Sequence, residues 1–386
     1  MTVAPVEADE QFMRRAIRLA MNGRGRVEPN PMVGCVIVKA GHVIGGGYHR
    51  RYGEAHAEPN ALESCIESPE GATAYVTLEP CCHLNKKTPP CVPRLIEARL
   101  ARVVVGSVDP NPDVNGKGIA ALRNAGITVD DSTLRPACDQ LLAPFVARTL
   151  HRRPYVTLKW AQTADGKVAG PGGRRLQISN ARSAQAVQDL RARCEAIAVG
   201  INTVLADDPL LTARSPSAPH NAQRMRIVFD ASLRIDPTRR LFEPGDAATP
   251  VRIYHGTGGL ADRIRELAMT DAELRPIETD ARGRVPLRAV LDDLYADRVT
   301  HLLVEPGPTL AQGFLDAGLA DRVWIFRAPA RVDDPTAPAA ASLPRHFIES
   351  GSIKLDDNTL TEYLNSTGNA FAAPEPSADL VLTGPS

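Results

Sequence analysis

The chain has 386 residues, 43% of them hydrophobic, and its 45 basic and 45 acidic side chains cancel to a formal net charge of zero. That length suits two globular domains, and the neutral charge gives no electrostatic reason to expect a nucleic-acid or membrane partner. The first ten residues are acidic and no apolar run is long enough to span a membrane, so neither a signal peptide nor a transmembrane helix is predicted.

The cysteine content indicates the redox compartment. Seven cysteines are an odd number, and three of them lie within residues 81–91. This clustering fits reduced thiols and a metal ion better than a framework of disulfides. We therefore expect a cytoplasmic protein.

Helices and strands alternate through the first 150 residues. The hydrophobic pattern predicts helices and strands in the following order: helix 11–22, strands 32–39 and 42–48, helix 55–66, strand 72–78, helix 92–100 and strand 102–108. Pro59 and Pro93 would fall in the first turns of their helices, where a missing N–H costs little. The sequence Asp-Pro-Asn-Pro at 109–112 breaks the last strand and is expected to form a substrate loop.

One histidine and two cysteines of this half form a candidate zinc site, namely His56, Cys81 and Cys91. Three protein ligands leave a coordination position for water, which is the arrangement of a catalytic zinc. Glu58 is a carboxylate that need not touch the metal and is free to carry protons, as in nucleobase-type deaminases. A structural zinc is the alternative, and it would need Cys82 or His83 as a fourth ligand.

The second half reads as another α/β unit without a metal-ligand cluster. Residues 151–154 are interpreted as a linker, which gives domains at 1–150 and 151–370 and a tail at 371–386 that either adds a last strand or is mobile. The pattern predicts strands at 155–160, 196–200, 225–230, 251–254 and 301–305, and helices at 183–193 and 309–317. Gly200 and Gly307 each stand between a strand and a helix.

The candidate zinc ligands, Glu58 and Gly307 belong to longer stretches of sequence. From about residue 11 to about residue 330, these stretches resemble the bifunctional riboflavin-biosynthesis deaminase/reductase family. The stretches include Asn30 to Val38, Gly53 to Glu58, Gly71 to Cys81, Thr88 to Cys91, Tyr155 to Lys159, Thr203 to Pro209 and Gly307 to Leu310. The resemblance implies a cytidine-deaminase-like α/β/α domain followed by a dihydrofolate-reductase-like α/β domain. It also implies Zn²⁺ and NADPH as cofactors and a homodimer or higher homo-oligomer.

For the first domain, the resemblance implies removal of the 2-amino group of 2,5-diamino-6-(5-phosphoribosylamino)pyrimidin-4(3H)-one as ammonia. His56, Cys81 and Cys91 would bind zinc, and Glu58 would be the catalytic proton carrier. The pyrimidine and its ribose phosphate would be bound by Asn30, His49, His83, Lys87, Asp109 and Asn111.

For the second domain, the resemblance implies NADPH-dependent reduction of the ribosyl chain to give 5-amino-6-(5-phosphoribitylamino)uracil. The cofactor would be bound by Ala161, Thr203, Asp207, Gly307, Pro308, Thr309, Leu310 and Gly313. The substrate would contact Lys159, Arg191, Leu211, Arg214 and Glu305, of which the arginines suit a phosphate.

Three positions of the second domain depart from the family pattern. Arg175 stands where a serine is usual, Gln177 where a tryptophan is usual, and Pro306 where a small residue is usual. A deaminase with a degenerate reductase domain is therefore the first alternative. The others are a non-catalytic nucleotide-binding scaffold and a deaminase that edits nucleic acids, which the neutral charge disfavours.

Overall fold

The computed structural model describes residues 5–83, 88–214, 224–243, 251–258 and 260–367. The chain divides into two compact units, Met1–Arg152 and Arg153–Ser386. Within the described ranges, no helix is both long enough and apolar enough to cross a membrane. The predicted tail at 371–386 lies outside the described residues.

The first unit contains five helices and five strands in its described residues. The helices are α1 (Pro5–Met21), α2 (Ala57–Glu63), α3 (Cys91–Glu97), α4 (Lys117–Asn124) and α5 (Arg135–His151). The strands are β1 (Gly34–Lys39), β2 (His42–Tyr48), β3 (Thr73–Val76), β4 (Arg102–Val105) and β5 (Thr128–Asp130).

The five strands form one sheet in the order β2-β1-β3-β4-β5. β1 runs antiparallel to β2 and β3, whereas β3, β4 and β5 are parallel. Helix α1 packs its apolar side, including Met13 and Ala16, against Val36 and Val104 of the sheet. Because the carboxyl ends of β3 and β4 lie at the same edge, the segments that follow them are brought together there.

The second unit is built on a larger sheet. Its strands are β6 (Tyr155–Gln162), β7 (Ala196–Gly200), β8 (Met225–Phe229), β9 (Val251–His255), β10 (Ala272–Pro276), β11 (His301–Val304), β12 (Arg322–Arg327), β13 (Phe347–Leu355) and β14 (Asn358–Asn365). Its α-helices are α6 (Ala181–Ala192), α7 (Ile201–Asp207), α8 (Ala261–Leu267), α9 (Leu287–Ala296) and α10 (Pro308–Asp316).

The nine strands have the order β10-β9-β8-β7-β11-β6-β12-β14-β13. Neighbours from β10 to β12 are parallel, and β14 and β13 extend the sheet antiparallel. Apolar side chains of the sheet pack on both faces, as expected for parallel strands covered by helices. The adjacent strands β7, β11 and β6 end at one edge, where the predicted cofactor and substrate residues follow them.

The structure corrects the bounds of several predicted elements. The helix predicted over 55–66 is α2, which begins at Ala57, so His56 is its N-cap rather than part of it. The helix predicted over 92–100 is α3, which begins at Cys91. The residues interpreted as a linker at 151–154 begin with the last residue of α5, and Arg153 forms a buried ion pair with Asp321.

Candidate active sites

The three predicted zinc ligands converge in the first unit. The ligand atoms of His56, Cys81 and Cys91 all lie within 4.8 Å of one another. His56 Nδ1 is 3.6 Å from the Cys81 sulfur and 3.5 Å from the Cys91 sulfur. One imidazole nitrogen and two thiolate sulfurs are a donor set that suits zinc. In the described part of the chain this group has no fourth member, and neither Cys82 nor His83 belongs to it.

The main chain holds these ligands in place. His56 is the N-cap of α2 and Cys91 is the first residue of α3. The backbone N–H groups of Cys91 and Val92 both donate to the Cys81 carbonyl, at 3.0 and 3.2 Å, and the Cys91 N–H also lies 3.4 Å from the Cys81 sulfur. An N–H group that donates to a sulfur favours the thiolate form of that sulfur, which is the form that binds a metal.

Glu58 lies beside the ligands as a buried carboxylate. It is the second residue of α2 and is only 3% exposed. Its Oε2 atom has no hydrogen-bond partner among the described residues. Burial, followed by the negative charge of Cys81, raises the pKa of Glu58 above its ordinary value. A buried carboxylate oxygen that accepts no hydrogen bond from the described residues, next to three metal-binding atoms, fits a site that holds a metal ion and a water molecule.

A cavity of about 330 Å³ opens next to Glu58 and the zinc ligands. Five of the six predicted substrate residues line it, namely Asn30, His49, His83, Asp109 and Asn111. Lys87, the sixth, lies outside the described residues. Asn30 Nδ2 is 3.1 Å from His49 Nε2, and His49 Nδ1 is 3.0 Å from the carbonyl oxygen of Ala55, so the imidazole is fixed at both nitrogens. Burial lowers the pKa of His49, which favours its neutral form.

Two cavities in the second unit contain the predicted reductase residues. One measures about 690 Å³ and includes Ala161, Asp207 and all five predicted substrate residues, namely Lys159, Arg191, Leu211, Arg214 and Glu305. The other measures about 940 Å³ and includes Thr309, Leu310 and Gly313. Four residues line both cavities, namely Asn202, Thr203, Gly307 and Pro308. The two cavities therefore adjoin, as a long dinucleotide would require.

The strand-to-helix junctions at Gly200 and Gly307 are confirmed. Gly200 is the N-cap of α7 and Gly307 is the N-cap of α10, and no described side chain caps either helix. A Cβ atom on Gly307 would approach only the Thr203 hydroxyl, at 3.8 Å, so the glycine leaves space in the cavity. Uncapped N–H groups beside open space suit the phosphates of a dinucleotide.

Glu305 is the charged centre of the smaller cavity. It accepts a hydrogen bond from Arg191 Nε at 2.5 Å and lies 3.7 Å from Lys159 Nζ. Burial alone would raise the pKa of Glu305, but the charges of Arg191 and Lys159 outweigh it and lower the pKa to about 2. Burial lowers the pKa of Lys159, and Glu305 opposes that shift. Glu305 is therefore a carboxylate acceptor at neutral pH.

The three departures from the family pattern all line the smaller cavity. Arg175 Nε lies 3.6 Å from the Asp207 carboxylate, and both side chains are largely exposed. Gln177 donates to the Ser179 carbonyl at 2.6 Å. Pro306 precedes the N-cap of α10 and lies outside the helix, so its missing N–H takes nothing from the first helical turn.

Two residues that the sequence analysis did not assign also touch this machinery. Thr88 Oγ1 lies 3.2 Å from His56 Nε2, on the side of the ring away from the sulfurs. Glu79 is a buried carboxylate that follows β3, and within the described ranges it accepts only backbone N–H groups of the residues after β4. The sequence signal that could have indicated Glu79 and Thr88 is their closeness in the chain to Cys81 and Cys91, because residues beside metal ligands often orient those ligands.

Comparison with known proteins assigns each half of the chain. Residues 6–107 match the cytidine and deoxycytidylate deaminase zinc-binding region, and residues 154–343 match the RibD C-terminal domain. The riboflavin biosynthesis protein RibD of Actinobacillus pleuropneumoniae is 42% identical over 330 residues, which cover 84% of each chain. RibD of Escherichia coli K12 is 38% identical over 331 residues, covering 83% of this chain and 88% of that one.

Solved structures agree with these matches over nearly the whole chain. A diaminohydroxyphosphoribosylaminopyrimidine deaminase/5-amino-6-(5-phosphoribosylamino)uracil reductase from Thermotoga maritima superposes with a TM-score of 0.78 at 32% identity, covering 94% of this chain and 100% of that one. RibD of Acinetobacter baumannii gives 0.75 at 33% identity, covering 93% and 99%. The predicted α/β class of both domains is thereby confirmed. The chain belongs to the RibD family of riboflavin-biosynthesis enzymes, in which a zinc-dependent deaminase and an NADPH-dependent reductase are joined in one polypeptide.

Proposed function

We propose that the first unit deaminates 2,5-diamino-6-(5-phosphoribosylamino)pyrimidin-4(3H)-one and that the second unit reduces the product to 5-amino-6-(5-phosphoribitylamino)uracil. The observation that carries the first step is the convergence of His56, Cys81 and Cys91 beside a buried oxygen of Glu58 that has no partner in the described part of the chain. The names of the superposed structures support this choice of substrate.

In the deaminase step, Glu58 is the residue that moves protons. Zinc, when held by His56, Cys81 and Cys91, lowers the pKa of a water at its open position. Glu58 takes a proton from the water that attacks C2 of the pyrimidine, and delivers protons to the ring nitrogen and to the departing amino group. Water and the amino compound thereby give the carbonyl compound and ammonia.

The walls of the deaminase cavity bind and orient the substrate in this proposal. Asn30 and His49 offer a fixed amide and imidazole to the pyrimidine, and Asp109 and Asn111 face the same cavity. His83 Nδ1 is buried without a partner among the described residues, so it is available for a hydrogen bond to the ligand. Lys87 is proposed to reach the phosphate, by resemblance alone.

In the reductase step, the adjoining cavities bind the cofactor next to the sugar chain. NADPH, when bound, supplies the hydride. The proposed cofactor-binding surface consists of Gly307 to Gly313 together with Thr203, Ala161 and Asp207. Lys159, Glu305 and Leu211 face the sugar, and Arg214 offers its guanidinium to the phosphate. Arg191 holds Glu305 ionised and in position.

Three broader proposals accompany this function. None of the seven cysteines, all of which lie in the described ranges, forms a disulfide, which supports a reducing compartment such as the cytoplasm. The zero net charge supports a small-molecule substrate over a nucleic acid. A homodimer or higher homo-oligomer is proposed by resemblance to the family.

One assay tests both steps of the proposed function. Purified protein with zinc and NADPH is given the diaminopyrimidine phosphate, and ammonia release and NADPH oxidation are followed together. We expect ammonia to appear first and NADPH oxidation to follow in equal amount. Ammonia without NADPH oxidation would support a degenerate reductase domain, and ammonia from single-stranded nucleic acid but not from the pyrimidine would contradict the proposal.

Thr88 is expected to govern zinc affinity. With Nδ1 of His56 directed at the sulfurs, Nε2 carries the ring proton and donates a hydrogen bond to the Thr88 hydroxyl oxygen. Thr88→Val removes this acceptor, and we expect zinc to bind about 10- to 100-fold more weakly. Competition with a chromogenic chelator measures the affinity. Thr88→Ser keeps the hydroxyl and should retain wild-type affinity, so equal affinities of the two variants would contradict the role.

A further inference from the structure

Glu79 is a buried charge that the proposed function does not use. It lies three residues beyond the end of β3 and two residues before the ligand Cys81, and its side chain is 3% exposed. Among the described residues, no basic side chain forms an ion pair with it. A buried carboxylate of this kind needs hydrogen-bond donors, because desolvation of its charge is costly.

Backbone N–H groups supply those donors at four positions of one segment. Oε2 of Glu79 accepts from Asp109 at 3.2 Å and from Gly116 at 2.9 Å. Oε1 accepts from Gly118 at 2.8 Å and from Ile119 at 3.1 Å. The carboxylate therefore ties the start of the segment 109–119 to its end, across the first turn of α4. Gly116 is the N-cap of α4 and has no side chain, so Glu79 takes the place of a capping side chain.

The segment 109–119, which Glu79 holds in this way, contributes two residues to the lining of the deaminase cavity. Asp109 and Asn111 line the cavity. The Asp109 carboxylate accepts from the Asn111 N–H at 2.8 Å, and the Asn111 carbonyl accepts from Val114 and Asn115, both at 2.9 Å. Hydrogen bonds thus connect the Glu79 carboxylate to Asp109, and the Asp109 carboxylate to the backbone of Asn111, the two residues of this segment that line the cavity.

We propose that Glu79 is a positioning residue of the deaminase, which fixes Asp109 and Asn111 for substrate binding by holding the segment 109–119 at both ends. This inference rests on the proposed function, because it takes Asp109 and Asn111 to contact the pyrimidine. A cap for α4 alone would need only the bonds to Gly118 and Ile119. Glu79 also lines the cavity, but both of its oxygens accept backbone N–H groups, and the bond to Asp109 connects it to the cavity end of the segment.

The test compares Glu79→Gln with Glu97→Gln, an exposed glutamate of α3. The near-isosteric glutamine cannot accept with both of its terminal atoms, so about half of the four bonds are lost. We expect KM for the diaminopyrimidine phosphate to rise about tenfold or more, with a smaller change in kcat and full zinc content. Hydrogen exchange of residues 109–119 should accelerate in Glu79→Gln and remain unchanged in Glu97→Gln.

A double-mutant cycle with Asn111→Ala separates positioning from a general structural role. If Glu79 acts through this segment, Glu79→Gln should raise KM less in the Asn111→Ala background than in the wild type. Additive effects, unchanged hydrogen exchange, or loss of zinc or of the fold in Glu79→Gln would each overturn the proposal. Absence of ammonia release by the wild-type protein would instead refute the proposed function. The hydrogen-exchange result needs no substrate, so it would still show whether Glu79 holds the segment 109–119.

Discussion

Glu58→Gln is expected to retain zinc and to lose about 10²- to 10⁴-fold in the rate of ammonia release, the range that a general acid–base group contributes. Zinc should remain because Glu58 is not one of the three converging ligands. The rate should fall because a glutamine cannot accept a proton from water and pass it on. Steady-state ammonia release and metal content of the same sample measure the two quantities.

Glu63→Gln is the matched control for this change. Glu63 is the last residue of the same helix, α2, but its side chain is exposed and lies outside the cavity. We expect it to release ammonia at the wild-type rate. Glu58→Gln should also oxidise NADPH normally when it is supplied with the deaminated intermediate, because Glu305 and Lys159 are untouched. Wild-type ammonia release by Glu58→Gln would show that another group carries the protons.

Asp321→Asn should destabilise the second unit by about 3–5 kcal/mol, the cost of removing one partner of a buried ion pair. Asp321 and Arg153 are 1% and 7% exposed, and two hydrogen bonds of 2.6 and 2.8 Å join them. Asp321 also accepts from the Val156 N–H at 2.8 Å, at the start of β6. The asparagine would leave the Arg153 guanidinium buried without a counter-charge.

Urea unfolding followed by tryptophan fluorescence isolates this effect. The chain has two tryptophans, Trp160 and Trp324, and both belong to the second unit, so the signal reports that unit alone. Asp292→Asn is the control, since Asp292 pairs with Arg288 on the surface and is 53% exposed. An exposed helical pair of this kind contributes about 0.3–0.5 kcal/mol. Equal midpoint shifts in the two variants would show that the buried pair has no special role.

Local sequence pattern predicts those strands in which apolar residues predominate. The predictions for β6, β7, β8, β9 and β11 lie close to the observed bounds, because runs of apolar and β-branched residues dominate these strands in spite of single polar residues such as Lys159 and Arg226. β12 is not predicted, although its residues 323–326 are apolar, and its first residue is the charged Arg322. That guanidinium is buried next to Thr157, at 3.1 Å, and Glu362, at 3.7 Å, and partners so distant in sequence leave no local pattern.

Residues of the deaminase site differ in the same way in how far the sequence reveals them. His56, Cys81 and Cys91 are recognisable because their residue types are rare and are specific to metal binding. Glu79 and Thr88 are common residue types, and their roles come from hydrogen bonds to groups that are 30 to 40 residues away in the chain. Such roles depend on tertiary packing, which places β3 beside β4 and brings the segments that follow the two strands into contact.

The Arg153–Asp321 pair also determines where the polypeptide can be shortened. Arg153 is the first residue of the second unit, and its partner is the residue immediately before β12. A recombinant fragment that begins at Tyr155 would bury Asp321 without Arg153 as its counter-charge, whereas one that begins at Arg153 would keep the ion pair. Attempts to produce the reductase half by itself should therefore start no later than this arginine.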